Sequence, residues 1–196
     1  MIGTKTPYRV SFFGGGTDFP EWFGEHGGAV LGVSICHYCY ITVRKLPPFF
    51  EHKYRIVWSE IERVNTLDEI RHPVVRESLR WKNIDDGLEI HHYGDLPARS
   101  GLGSSSAFSV GMLKMLSQLK VKDVSKKQLA LDAINLEKRI LQENVGVQDQ
   151  ILTAYGGINK VNIALNGDFE VKPLQLSSQR IKEFESGILM FFSGIS

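Results

Sequence analysis

The chain has 196 residues, with 23 Lys or Arg against 22 Asp or Glu, a formal net charge of +1, and an ordinary globular composition. That balance leaves no electrostatic footprint for nucleic acid or an anionic membrane, no apolar run is long enough to span a bilayer, and the opening MIGTKTPYRV lacks the apolar core of a signal peptide. The expectations are a small-molecule partner, no nucleic acid, no membrane and a cytoplasmic setting. The length allows one domain of above-average size, or a large domain plus a piece of another.

Residues 7–13 read as a strand that ends in Gly14-Gly15-Gly16 and Thr17-Asp18. Consecutive glycines cost unfolded-state entropy. They point either to a need for space and unusual backbone angles, or to a plain turn with Asp18 capping a short helix over residues 20–23. Arg9 alternates with Val10 on the strand, so it is either a solvated edge residue or a cation aimed into a site. Residues 28–46 and 54–59 read as strands joined through Pro47 and Pro48, residues 61–67 as a further short strand, and residues 73–81 as a helix with proline at its first position. Cys36 and Cys39 fall in the strand-like ICHYCYITV, where neither a helix-opening redox pair nor a four-ligand zinc site fits, and they are read as free thiols. His91 and His92 are neighbours on the strand 87–93, point to opposite faces, and are read as structural or exposed.

That strand leads into DLPARSGLGSSSAFSVGM at residues 95–112. A helix through Phe108, Met112, Met115, Leu116 and Leu119 leaves it. Between the two, Ser100-Gly101-Leu102-Gly103-Ser104-Ser105-Ser106 has so little side-chain bulk that backbone N–H groups can approach an anion at the positive end of the helix. The serines can cap the helix or reach a metal ion. The Walker pattern fails because the sequence has no Gly-Lys pair. G-x-G-x-x-G fails because Ser106 stands where the third glycine belongs. The nucleophile elbow nearly fits Gly103 to Ala107, but a hydrolase of that kind needs a histidine downstream of its serine. All six histidines (His26, His37, His52, His72, His91, His92) lie upstream.

Residues 125–142 read as a helix capped by Ser125. Ala130, Ile134, Glu137 and Leu141 share one stripe of it. A carboxylate in an apolar row costs several kcal/mol unless a metal ion or a distant arginine meets it, or unless it lies at the stripe's edge and reaches solvent. Asp149, flanked by Gln148 and Gln150, starts a short helix that stops at Tyr155-Gly156-Gly157, and is either a helix-start charge or a functional group. Strands are expected at 158–164, 169–173 and 187–192. An apolar run so close to the last residue suggests a chain whose remaining lobe lies beyond it.

Pro97-x3-Gly101-Leu102-Gly103-Ser104-Ser105-Ser106-Ala107 resembles the phosphate-binding motif of the GHMP kinases, the family of galactokinase, homoserine kinase, mevalonate kinase and phosphomevalonate kinase. Residues 7–18, PYRVSFFGGGTD, resemble that family's first motif. Within the family, FGGGTD and ENVGVQDQ are similar to the D-glycero-D-manno-heptose 7-phosphate kinase branch and to fucokinase-like enzymes. The resemblance implies an α+β fold: residues 1–184 as the N-terminal ATP-binding lobe, related to the second domain of ribosomal protein S5, and residues 185–196 as the entry strand of a mostly missing ferredoxin-like C-terminal lobe. It also implies ATP and Mg²⁺ as cofactors. Pro97, Ser100, Gly101, Leu102, Gly103, Ser104, Ser105 and Ser106 would hold the nucleotide, and Ser105 and Glu137 the metal. Asp149 matches the general base, and Arg9 an arginine beside it that stabilises charge on the transferring group. Arg9, Gly14, Gly15, Gly16, Thr17 and Asp18 would contact the substrate, with Asp18 on sugar hydroxyls. Galactokinases carry a Glu-His pair where this chain has Gly15-Gly16, a change that opens room for a phosphorylated tail. The implied activity is phosphorylation of the anomeric hydroxyl of a heptose 7-phosphate. A fucokinase- or galactokinase-like free-sugar kinase and a non-catalytic nucleotide or sugar-phosphate binding fragment are the alternatives.

Overall fold

In the computed structural model, residues 1–98 and 100–191 are described. The strand β2 (Gly28–Lys45) organises the sheet. It pairs along one edge with β1 (Ile2–Phe13), and along the other with β5 (Leu88–Gly94) at its C-terminal half and β6 (Ile158–Ile163) at its N-terminal half. Outside β5 lie β3 (Tyr54–Val57), parallel to it, and β4 (Ile61–Val64), antiparallel to β3. β7 (Phe169–Pro173) completes the other end as the partner of β6. The result is a mixed sheet with helices packed on it, the α+β architecture expected from the sequence.

Alternation along the strands divides the sheet faces. Cys39, Ile41 and Val43 of β2, Tyr54 and Ile56 of β3, and Leu88 and Ile90 of β5 are buried against α2 (Pro73–Trp81) and α3 (Ser104–Leu119). α3 supplies Val110, Leu113 and Leu116 to that core, each contributing about 1.5–3 kcal/mol by burial. A second cluster joins Ala130 of α4 (Lys126–Asn135) and Ile151 and Leu152 of α5 (Gln148–Tyr155) to Val161 and Ile163 of β6 and to Phe23 of α1 (Pro20–His26).

The differences from the sequence reading fall at element ends. β1 starts at Ile2 rather than Pro7, because Thr4, Lys5 and Thr6 pair in register with Ile41, Tyr40 and Cys39 of β2. Pairing supplies what the local pattern lacks. The helix expected over 125–142 is α4, capped by the Ser125 hydroxyl, which accepts from the Gln128 N–H at 3.1 Å. It continues as a π-helical turn, Leu136–Ile140. A helix absent from the sequence reading, α6 (Ser178–Ser186), begins where Ser177 accepts from the Arg180 N–H, and buries none of its residues. The strand expected at 187–192 does not form over its described part. Leu189, Met190 and Phe191 are exposed there, and no described strand runs alongside to take their backbone hydrogen bonds. Residues 192–196 lie outside the described residues. The division expected between residues 184 and 185 falls inside α6, whose Phe184 packs edge-on against Phe12 at 5.3 Å. Cys36 and Cys39 are free, and burial pushes the Cys39 thiol up to about 12. Among the described residues no helix is long and apolar enough to cross a membrane.

Candidate active site

The glycine-serine loop lies where β5 hands the chain to α3, and Arg9 holds it in place. The register of β1 against β2 shifts between Pro7 and Arg9, an irregularity of the kind that re-aims a side chain. From there the Arg9 N–H donates to the Leu102 carbonyl at 3.1 Å, and Nη1 donates to the Gly101 carbonyl at 2.8 Å. Nε donates to Asp149 Oδ1 at 2.6 Å, and Nη2 to Oδ2 of the same carboxylate. One guanidinium thus ties the loop to the first turn of α5. Gly103, the N-cap residue of α3, has φ +72°, and a Cβ there would stand 3.1 Å from Arg9 Cγ. Glycine is therefore required twice over, by backbone angle and by the passage of Arg9. Having no side chain, Gly103 offers no capping oxygen to the first-turn N–H groups of α3, groups that lack intrahelical partners in any helix. Pro97 and Ser105 are exposed, Leu102 and Ser104 half-buried. The Ser100 hydroxyl is buried without a hydrogen-bond partner.

Beneath the loop sits Glu137, 1% exposed. Its Oε2 accepts from the Ser106 hydroxyl at 3.0 Å and from Gln150 Nε2. Oε1 is buried with no partner, as is the nearby Ser109 hydroxyl. Burial pushes the carboxyl up to about 6, opposed by the closeness of the Ser109 hydroxyl and by the hydrogen bonds of Gln150 and Ser106. Glu137 belongs to the π-helical turn, a local widening that recurs at functional positions. Lys138 turns away to the Val145 carbonyl at 2.7 Å, and among the described residues no cation meets the carboxylate. The sequence reading has Ser105 and Glu137 share a metal ion. In the structure Ser106 is the serine that hydrogen-bonds Glu137 directly and Ser105 is exposed, as successive helical residues are rotated by about 100°. Among the described residues no group of three or more His, Cys, Asp or Glu could hold a metal. One carboxylate with an unused oxygen, flanked by serine hydroxyls, suits a Mg²⁺ ion completed by phosphate oxygens and water.

The glycine turn abuts the same place. A Cβ on Gly14 would lie 1.8 Å from the Ala29 carbonyl oxygen, whereas one on Gly15 would meet only ordinary contacts, with Gln148 Nε2 at 3.8 Å and Ser11 Oγ at 4.0 Å. A Cβ on Gly16 would meet nothing within 4 Å. Thr17 Oγ1 donates to the carbonyls of Gly14 at 2.7 Å and Ala29 at 3.2 Å, and accepts from the Ala29 N–H. Asp18 corrects two expectations. It does not cap α1, whose N-cap is Phe19. It has no exposed surface to offer a sugar hydroxyl: Oδ1 accepts from the Gly16 N–H and Gln148 Nε2, and Oδ2 from the Gln148 N–H. Asp18 fastens the glycine turn to the residue next to Asp149.

Residues 67–157, which hold the loop, Glu137 and Asp149, match the family model for the GHMP kinases N terminal domain. The chain is 27% identical over 204 residues to D-glycero-alpha-D-manno-heptose 7-phosphate kinase of Campylobacter jejuni, an alignment covering 100% of this chain and 60% of that protein. It is 28% identical over 211 residues to the bifunctional fucokinase/GDP-fucose pyrophosphorylase of Arabidopsis thaliana, covering 97% of this chain and 20% of that protein. The crystal structure of a D-glycero-D-manno-heptose 1-phosphate kinase from Bacteroides thetaiotaomicron superimposes with a TM-score of 0.87 at 24% identity, over 95% of this chain and 64% of that one. The chain thus spans about 60% of the length of this Campylobacter heptose kinase relative.

Within this site the structure adds Gln148, Gln150 and Ser109, which the sequence reading did not single out. Polar residues on both sides of Asp149 were the available signal. Their division of labour, Gln148 to Asp18 and Gln150 to Glu137, follows from the helical rotation between them.

Proposed function

We propose that this domain is the ATP-binding part of an ATP- and Mg²⁺-dependent sugar kinase that phosphorylates the anomeric hydroxyl of D-glycero-D-manno-heptose 7-phosphate. The observation that carries the reading is Arg9, whose guanidinium joins the candidate base Asp149 to the carbonyl of Gly101 in the cradle. Base and cradle are thereby one rigid unit, as in-line phosphoryl transfer demands.

When bound, ATP supplies the phosphoryl group and Mg²⁺ neutralises its charge. The first-turn N–H groups of α3 and the backbone of Gly101 to Gly103 would receive the phosphate oxygens. Glu137, through its unpartnered Oε1, and Ser105 would hold the metal. Asp149 accepts the proton of the acceptor hydroxyl. Both its oxygens already accept from Arg9, which orients the carboxylate and leaves lone pairs for one more donor. Gly15 and Gly16 leave open the space beside Gln148 for the phosphorylated end of the substrate.

A coupled ADP-release assay with heptose 7-phosphate, fucose and galactose tests the reading. Preference for heptose 7-phosphate with a 1,7-bisphosphate product supports it, and preference for an unphosphorylated hexose overturns it. Gly15 sharpens the assay. Its surroundings accommodate a side chain, so Gly15→Glu should fold normally while raising KM for heptose 7-phosphate about tenfold or more.

A further inference from the structure

At the far end of β5 a second arginine–carboxylate group has no part in the reading above. The strand registers place Arg44 of β2 opposite Glu89 of β5, Glu89 opposite Arg55 of β3, and Arg55 opposite Arg63 of β4. Four charged side chains thus form one row across four strands. Alternation puts them on the face away from the helices, since their neighbours Val43, Tyr54, Leu88 and Ile90 are in the core. Glu89 is 5% exposed, and accepts from Arg44 Nε at 2.6 Å, from Arg55 Nη1, and lies 2.7 Å from His91 Nε2. One carboxylate positions two guanidiniums. Arg63 is exposed and has no carboxylate partner among the described residues, although like charges directly opposite each other on neighbouring strands repel.

The row lines a cavity of about 440 Å³. Its other wall is the loop after β2, where Phe50 lies 5.9 Å from the Arg44 guanidinium and His52 has a buried Nε2 with no partner. Glu51 also lines the cavity, so three guanidiniums face two carboxylates, one of them already committed to two arginines. The volume suits a small ligand. The surplus charge, presented as planar N–H forks, suits a phosphate.

We propose that this cavity binds a small phosphate monoester, its phosphate on Arg55 and Arg63 with Arg44 as a third donor, and its body against Phe50. Glu89 precedes Gly94, the end of β5, by about 17 Å at ~3.4 Å per residue, and the cavity opens on the face opposite α3. The site is therefore separate from the glycine-serine cradle.

The test is titration with glycerol 3-phosphate, read by backbone amide chemical shifts with Mg²⁺ and a non-hydrolysable ATP analogue present. The expected result is saturable shifts centred on residues 44, 55 and 63, absent with glycerol. Arg63→Ser, at an exposed position without partners, should keep the fold by circular dichroism and weaken binding about tenfold or more, while Arg63→Lys should retain part of it. The proposal is overturned by no saturation up to about 10 mM, by shifts confined to Gly101–Ser106, or by an Arg63→Ser affinity equal to wild type. None of these readings depends on phosphoryl transfer, so loss of the kinase reading and loss of this site are told apart.

Discussion

Glu89 and Glu137 are buried to nearly the same degree, 5% and 1% exposed, yet their carboxyls shift in opposite directions. For Glu89, burial pushes up, but hydrogen bonds from His91, Arg44 and Arg55 hold the group down to about 2. For Glu137, burial prevails and takes it up to about 6, because its partners are neutral hydroxyls and an amide. Partner charge acts together with desolvation to set the ionisation of a buried acid. The surroundings of Glu89 have cations to spare, and Glu137 meets none among the described residues. The first is suited to receive an anion, the second a metal ion brought with its own ligands.

The strongest way to break this comparison is at Asp149, the carboxylate that does have one arginine to itself. Asp149→Asn should lower phosphoryl transfer about 10³-fold with nucleotide affinity changed little, measured by single-turnover kinetics beside calorimetry. Equal loss of both would make Asp149 a structural partner of Arg9 only. Next in size is Glu89→Gln, which leaves Arg44 and Arg55 without their counter-charge and should cost about 3 kcal/mol in urea unfolding. The depressed carboxyl adds stability that is present above pH 4.5 and lost as pH falls through about 2. The variant should lack that acid sensitivity.

Glu137→Gln tests the other side. A raised carboxyl contributes stability that is complete below pH 4.5 and lost as pH rises through about 6. In metal-free protein at pH 8 the variant should therefore be more stable than wild type, by on the order of 2 kcal/mol, with a flatter stability profile between pH 4 and 7. Its phosphoryl transfer should fall all the same. A destabilised variant would mean that the carboxylate holds the π-helical turn rather than awaiting a cation. The smallest effect is expected from Gly103→Ala, which strains a residue at φ +72° and crowds Arg9 Cγ. A loss of about 1 kcal/mol in stability together with weaker nucleotide binding would show that Arg9 and the loop move as one.

Much of the site was legible before folding was considered. The bulk-free run from Ser100 to Ser106, Glu137 in an apolar stripe and Asp149 between two glutamines each violate a local rule, and such violations tend to mark function. Asp18 was misread because its fate depends on Gln148, at the far side of the sequence. Which serine of the run turns inward to Glu137 could not be read from the sequence, because helical rotation is invisible in a run of identical residues. The row Arg44, Glu89, Arg55 and Arg63 left no trace in the sequence, since it exists only through the pairing of four strands.

By itself, then, the sequence determined most of the strands and helices, the loop that can cradle an anion, and the carboxylates that need explaining. These rest on local periodicity, glycine content and charge placement, which act over a few residues. Tertiary structure alone decided that Arg9 clamps Asp149 to the Gly101 carbonyl, that Ser106 and Gln150 meet Glu137, and that two arginines share one buried glutamate. Those outcomes depend on strand register and helix rotation, which bring together residues that no local pattern relates.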